Sequence, residues 1–217
     1  VPDDFKFYKK VDIGLMSDFR QIEIEEDTKV LVEINWTNPN LNPKGKIISI
    51  IGKKGEHETE MQSILLDKGI VYDFPPEVEK EAERVSKVSF DSSNRRDFRN
   101  ITTFTIDPAD AKDFDDALSY EEIGGNKIRV GVHIADVSHF VHLDSALDRE
   151  ARKRSFSTYL VDRTIPMLPE VLSNNLCSLM PNVDRLAFSA VFDIEKNTGK
   201  ILNRWFGKTI INSNKRF

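Results

Sequence analysis

Four aspartates, Asp107, Asp113, Asp115 and Asp116, crowd into the stretch IDPADAKDFDDA, with Asp110 between them. Carboxylates held this close repel one another. Either some keep their protons at neutral pH, or a cation sits among them. Oxygen-only ligands select hard divalent ions, so Mg²⁺, or Mn²⁺, is the cofactor that suits the set. Four ionised aspartates balance the charge of two such ions. Two metals about 3.5–4 Å apart can clamp the attacking and leaving oxygens of a phosphodiester. The bland alternative is a solvated acidic loop, and spacing alone leaves it open. A calcium loop does not match: counting from Asp113, Ala117 takes the third ligand position and Leu118 the place of the glycine. Asp110 reads as a turn or cap residue.

The elements that would position these side chains follow from the surrounding pattern. NITTFTI is a β-branched strand that runs directly into Asp107, and Pro108 then turns the chain. Asp113 to Asp116 return into the next strand. In a fully extended chain Asp115 and Asp116 point to opposite faces, so either the loop is bent or one of the pair is not a ligand. DALSYEEI, Gly124-Gly125 and KIRVGVHIADVSHF form a hairpin. A helix follows Leu143 with Leu143, Leu147 and Ala151 inward. A second starts near Pro169, buries Leu172, Leu176 and Leu179, and stops at Pro181. LAFSAVFDI, EKNTG and KILNRWFGKTII make a last hairpin, and NSNKRF ends the chain with no capping element.

Ahead of this, Phe5 to Ile13, Lys29 to Asn35 and Lys46 to Ile51 read as short strands punctuated by Asn-Pro and Gly, which fits a small antiparallel barrel. FKFYKK interleaves aromatic and basic residues, suiting a single-stranded nucleic-acid platform or, more plainly, an edge strand with a basic face. Val78, Ala82 and Val85 recur at helical spacing in a charged segment, which reads as an exposed connecting helix, and SFDSSNRRDFRN as a linker. The fold class expected is α+β: an OB-like antiparallel β-barrel over residues 1–74, a helix and linker over 75–97, and a mixed, mostly antiparallel sheet with helices over 98–217.

The remaining chemistry-bearing residues read as structural. Cys177, the single cysteine, lies among Leu176, Leu179 and Met180 as a buried small hydrophobe and points to a reducing, cytosolic compartment. His133 sits mid-strand as a core histidine, and His139 and His142 lack a ligand set. Asp136 serves the site indirectly or caps a turn. Arg149, Arg152, Lys153 and Arg154 crowd one helix and either meet phosphates or form a solvated face. The net charge of −5 resides in the first 97 residues, while basic and acidic residues balance from residue 98 on. A polyanionic partner is therefore neither required nor excluded. No secretion leader or bilayer-length apolar run is present, and no obligate protein partner is evident.

TIDPADAKDFDDA resembles the signature of the ribonuclease II / ribonuclease R exoribonucleases, the RNB catalytic domain. VGVHIADVSHFV and RSFSTYLVDRTIPMLPEVLSNNLCSLMPNVDRLAFS continue the resemblance in order, while VPDD and the run to GKIISIIG resemble the family's second cold-shock domain. The resemblance implies metal-dependent 3′–5′ hydrolysis of single-stranded RNA to 5′-mononucleotides. It makes Asp107, Asp113, Asp115 and Asp116 the active-site aspartates, with Asp107 and Asp116 as direct metal ligands, Asp113 completing the shell directly or through water, and Asp115 most tied to the chemical step, roles that the sequence alone does not separate. It makes Tyr159, in STYL, the aromatic that stacks on a base, where the residue alone reads as an ordinary core tyrosine. The family's catalytic domain continues past the point matching Phe217, so the resemblance also implies a longer parent exoribonuclease and a 217-residue fragment that is weakly active or inactive by itself. A non-catalytic RNA-binding fragment is the alternative.

Overall fold

The computed structural model describes residues 9–13, 24–38, 40–89 and 92–217. The chain divides into two compact units, Val1–Tyr72 and Asp73–Phe217. The fold class is α+β, in agreement with the sequence reading. Among the described residues no helix is long and apolar enough to cross a membrane.

In the first unit, β1 (Asp12–Ile13), β2 (Thr28–Asn35) and β3 (Lys44–Lys53) form one sheet in the order β1-β3-β2. The β2–β3 pair is antiparallel and β1 runs parallel to β3. Gly45 makes the three-strand crossing possible, because a Cβ there would lie 2.4 Å from Val32 Cγ1 and 2.6 Å from Val11 Cγ1. The aromatics of FKFYKK lie outside the described residues. Helix α1 (His57–Asp67) has no counterpart in the sequence reading. Only Thr59 and Leu65 on it are buried, too few to give a periodic signal. An ion pair from Lys29 to Glu60, at 2.6 Å, ties it to β2.

The second unit is built on one seven-stranded sheet. In chain order its elements are α2 (Pro76–Ser86), β4 (Arg96–Asp97), β5 (Thr102–Thr105), β6 (Asp116–Gly124), β7 (Lys127–Ala135), α3 (Val137–Phe140) and α4 (Ala146–Arg154). There follow a small hairpin of β8 (Thr158–Tyr159) and β9 (Thr164–Ile165), a π-helical turn (Leu172–Leu176), and the strands β10 (Asp184–Glu195), β11 (Ile201–Asn212) and β12 (Lys215–Arg216). The sheet order is β12-β5-β6-β7-β10-β11-β4, antiparallel apart from the two edge pairs. Gly125 and Asn126 both take positive φ in the two-residue turn joining β6 to β7, as a type I′ turn requires.

This sheet is curled. Only Ser213 and Asn214 separate β11 from β12, which pairs on the far side of β5. Three extended residue steps cover at most about 11 Å. Five flat strand spacings would span about 24 Å. The sheet edges therefore approach each other, and Asn214 closes the gap with bonds to the Thr103 carbonyl and amide at 2.8 and 3.1 Å. Strand alternation then divides the core. Phe114, Ala117, Leu179, Ala187 and Ile211 pack inside the curl. Leu186 and Ile210 face the other way, against α2, α4 and the π-helical turn. Beyond those helices the outer face stays open, with Ile134, Phe188 and Phe206 about half exposed.

Three sequence expectations change here. Helix α2 is no exposed connector: Val78, Ala82 and Val85 are buried in the outer core beside Leu147 and Leu172. The linker reading of SFDSSNRRDFRN fails from Arg95 onward. Arg96 and Asp97 extend the sheet and Phe98 is buried. Arg95 reaches inward to Asp136 at 2.6 Å, with both side chains nearly inaccessible. Burial alone would raise the Asp136 carboxyl. Bonds from Arg95 and Ser138 outweigh it and hold the group below the usual aspartate range. Asp136 is thus a structural anchor. Leu143, expected on the inward stripe of α4, is 75% exposed, because the helix begins only at Ala146 under a Ser145 cap.

His133 is a core residue, fully buried between strands. Its Nε2 is 2.9 Å from Ser119 Oγ and its Nδ1 2.6 Å from Ser189 Oγ, which is 2.6 Å from Thr209 Oγ1. One assignment satisfies every group: Ser119 donates to Nε2, Nδ1–H donates to Ser189, Ser189 donates to Thr209, and Thr209 donates to the Ala187 carbonyl. Gly131 leaves room for this ladder, since a Cβ there would meet Ser119 Oγ at 2.4 Å. Burial pushes the imidazole down to about 4 from 6.5. The unfolded chain then binds a proton that the native one refuses between those values, so stability falls as pH drops from about 6.5 to 4. The loss amounts to about 3 kcal/mol at 1.36 kcal/mol per pKa unit. We expect His133→Gln to flatten that part of the stability–pH curve, measured by urea unfolding with Trp205 fluorescence in a Trp36→Phe background. An unchanged slope would refute the assignment.

Candidate active site

Strand β5 delivers Asp107 two residues past its end. The position is fixed from the C-terminal strand: the Phe217 amide donates to the Thr105 carbonyl at 2.9 Å, and the Asp107 amide donates to the Phe217 carbonyl at 3.1 Å. The Arg216 guanidinium donates to the Pro108 carbonyl and lies over the Phe114 ring, 4.8 Å from its centroid. The tail NSNKRF, read as a bare end, is therefore an edge strand that holds the aspartate loop at two points. Inside the loop the Ala111 amide donates to the Pro108 carbonyl at 3.0 Å. At its far end the Ala135 amide donates to the Asp115 carbonyl at 2.9 Å, and Asp116 opens β6 opposite Ile134.

The four sequence-predicted carboxylates are electrostatic neighbours. Asp115 is raised above the ordinary aspartate range, by burial first and then by the charges of Asp113, Asp116 and Asp107. The residue as a whole keeps solvent access, but all four causes push the same way. Asp110 is exposed and is not among those charges. Asp107 is half-buried, and its Oδ2 is a buried oxygen with no hydrogen-bond donor. Such an oxygen is costly unless something positive meets it. Tyr159 stands on β8, 67% exposed, and its hydroxyl donates to Asp113 Oδ2 at 2.9 Å. It is not a core tyrosine. The Asp113 carboxylate, then burial, raises its phenol, which stays a donor at neutral pH.

Among the described residues, no three His, Cys, Asp or Glu side chains gather closely enough to cage an ion. The Asp113 carboxylate instead accepts from the Tyr159 hydroxyl. The donor set still fits a hard divalent ion. It is all oxygen, it contains one orphaned buried oxygen, and it includes a carboxyl whose charged form its neighbours destabilise.

The other candidates stay structural. Burial pushes the Cys177 thiol up to about 12, far from a nucleophile's range. Arg152 and Arg154 pair along α4 with Asp148 and Glu150 at 3.0 and 2.9 Å, and Lys153 lies 3.9 Å from Glu150. Arg149 donates to the Asp144 carbonyl. The basic helix is thus engaged by its own neighbours. The sequence reading missed Arg216 and Ser178. Neither belongs to a local chemical pattern, and both reach the loop from more than sixty residues away.

The RNB domain profile matches residues 95–217, and a cold shock domain profile matches residues 1–75. The chain belongs to the RNB-domain family. The mouse exosome complex exonuclease RRP44 is 39% identical over 198 residues, covering 89% of this chain and 21% of that protein. An Arabidopsis thaliana relative named inactive exonuclease DIS3L2 is 42% identical over 183 residues, 83% of this chain and 17% of that one. Mycoplasma genitalium RNase R, solved with ribose-methylated single-stranded RNA, superposes with a TM-score of 0.85 at 30% identity over 97% of this chain and 33% of its own. The chain spans about a fifth of the length of these curated relatives.

The coupling within the RNB-family aspartates is measurable. Asp115 is expected to titrate above the ordinary aspartate value in the metal-free chain, and Asp113→Asn, which removes the largest of the neighbouring charge effects, to bring it down. Carboxyl-detected NMR over pH 3 to 7 reads both. An ordinary Asp115 titration in the parent chain would break the coupling.

Proposed function

We propose that this chain supplies the aspartate site and the strand-gripping aromatic of a metal-dependent 3′–5′ exoribonuclease, which hydrolyses single-stranded RNA to 5′-mononucleotides in RNA turnover. One observation carries the reading: three aspartates of the RNB signature act on the fourth, Asp115, while a buried Asp107 oxygen stays unpartnered. Asp107, Asp113 and Asp116 would hold the cation. A bound Mg²⁺, or Mn²⁺, would supply Lewis-acid polarisation of a phosphate oxygen and a more acidic attacking water. Asp115, whose proton affinity is raised, is the group best suited to accept a proton from that water. The Tyr159 ring, exposed beside Asp113, offers a stacking surface that any base can use. The single buried cysteine suits a reducing, cytosolic setting.

A second reading is an RNA-binding chain that performs no chemistry. It is favoured by the uncaged carboxylates and by the existence of a relative named inactive. The two readings separate in a calorimetric titration of Mn²⁺ into this chain and its Asp116→Asn variant. The first predicts binding that the variant weakens by 10-fold or more. It also predicts that the same substitution in the longer enzyme abolishes metal-dependent turnover and leaves affinity for a single-stranded oligonucleotide within about threefold. Absence of Mn²⁺ binding, together with intact oligonucleotide binding, would establish the second.

Replacing Tyr159 with Phe keeps the ring and removes the hydroxyl. RNA affinity should change by less than about threefold, whereas Tyr159→Ala should weaken it by 5- to 100-fold, the range expected for one lost base stack of roughly 1–3 kcal/mol. Fluorescence anisotropy with a labelled oligonucleotide checks this. Equal losses in both variants would show that the hydroxyl, not the ring, does the gripping.

A further inference from the structure

Ser178 is fully buried, and both hydrogen-bonding roles of its hydroxyl are used on the aspartate loop. It donates to the Lys112 carbonyl at 2.8 Å and accepts from the Phe114 amide at 3.0 Å. These are the backbone groups immediately before and after Asp113. The next amide, Leu179, donates to the Phe114 carbonyl at 2.8 Å. Two consecutive residues thus fix the peptide planes on both sides of Asp113 and lead the chain toward Asp115.

The clamp is itself anchored. Arg185, 8% exposed, donates from Nε to the Ser178 carbonyl at 2.8 Å and to the Asn175 carbonyl at 3.0 Å, and from Nη2 to Asn175 Oδ1 at 2.8 Å. The Ser178 amide donates to the Asn175 carbonyl at 2.9 Å. Asn175 lies in the π-helical turn, where the Cys177 amide bonds to the Leu172 carbonyl five residues back. Turns of this kind are uncommon and recur at functional sites. Arg185 also lies on β10, so the clamp is tied to the middle of the sheet. A hydroxyl placed here only to satisfy itself would need one partner; this one takes two, and they bracket an aspartate.

We infer that Ser178 is a positioning residue for the aspartate site: it sets the backbone of Asp113 and, through Phe114, the approach of Asp115 and Asp116, so that the carboxylates can close on a divalent cation. The inference rests on the metal-site reading given above and adds to it the residue that preorganises the loop. Outer-shell partners of metal ligands typically contribute 10- to 100-fold in affinity.

The test compares the wild-type chain with Ser178→Ala and with Ile210→Val, a core change on the opposite sheet face that touches no loop residue. Amide exchange at Phe114 is read by NMR relative to the β7 amides, and Mn²⁺ affinity by electron paramagnetic resonance of the free ion. Ser178→Ala is expected to speed Phe114 exchange at least 10-fold and to weaken Mn²⁺ 10- to 100-fold, while Ile210→Val shifts neither by more than about twofold. Unchanged exchange at Phe114 overturns the proposal. Faster exchange with unchanged Mn²⁺ affinity also overturns it, because the clamp would then serve packing alone. If the wild-type chain binds no Mn²⁺, the metal reading fails, and the exchange result still decides whether Ser178 sets the loop. Should Ser178→Ala not fold, Ser178→Cys replaces it with the same expected shifts, being close in volume and a weak hydrogen-bonding group.

Discussion

Mutual repulsion among Asp107, Asp113, Asp115 and Asp116 is the constraint that the second unit is organised to withstand. A free loop would relax by splaying its carboxylates into water. Here the backbone is held from three directions: by Phe217 and Arg216 from the last strand, by Ser178 and Leu179 from the segment after the π-helical turn, and by Ala135 from β7. The chain does not remove the repulsion. It restricts the coordinate along which the repulsion could be relieved, leaving side-chain rotation and a raised proton affinity, the direction in which Asp115 is pushed.

The same logic explains why the interior of the curled sheet contains so much polar chemistry. The ladder from Ser119 through His133 and Ser189 to Thr209 crosses four strands and ends on a backbone carbonyl. Each member is satisfied only in the observed register, because a one-residue slip turns every side chain to the other face. Apolar residues would fill this space with less specificity of pairing. The buried Arg95–Asp136 pair acts similarly at the sheet's far edge. Arg95 also reaches toward the Ala187 and Thr209 carbonyls, at 3.3 and 3.4 Å, and so ties the segment before β4 to the two strands that hold the end of the ladder. Registers fixed in this way carry Asp116 on β6 to a set position relative to the loop that precedes it.

Much of this was legible in the sequence. Alternation and turn residues identified β2, β3, the β6–β7 hairpin and the β10–β11 hairpin, because each pattern is local and is reinforced by Gly or Asn at the turn. The aspartates announced themselves by their like charge, and the mid-strand His133 read as a core group. What escaped shares one property: its partners are distant in the chain. Helix α2 looked like a solvated connector because three apolar residues among charges are a thin stripe, and only the cores of α4 and the π-helical turn show where that stripe goes. Arg95 looked like linker composition until Asp136 appeared opposite it. Arg216 and Ser178 sit in segments with no pattern of their own, and their roles arise from a sheet that closes on itself. Leu143 misled for the opposite reason. Its spacing was right for a helical stripe, but the Ser145 cap starts the helix after it.

Alternation along β6 also bears on how the aspartates can work together. The strand begins at Asp116, whose side chain shares the outer face with Ile134, while Ala117 points into the curl beside His133. Asp115 stands just before the regular strand, although its carbonyl still pairs with Ala135. Ordinary alternation would send it away from Asp116. The charges of Asp113, Asp116 and Asp107 nevertheless all reach it and, after burial, hold it above the ordinary aspartate range. Tyr159 meets this set through Asp113. Its hydroxyl donates to Asp113 while its ring stays largely exposed, so one hydrogen bond couples the orientation of the aromatic to the carboxylate it meets.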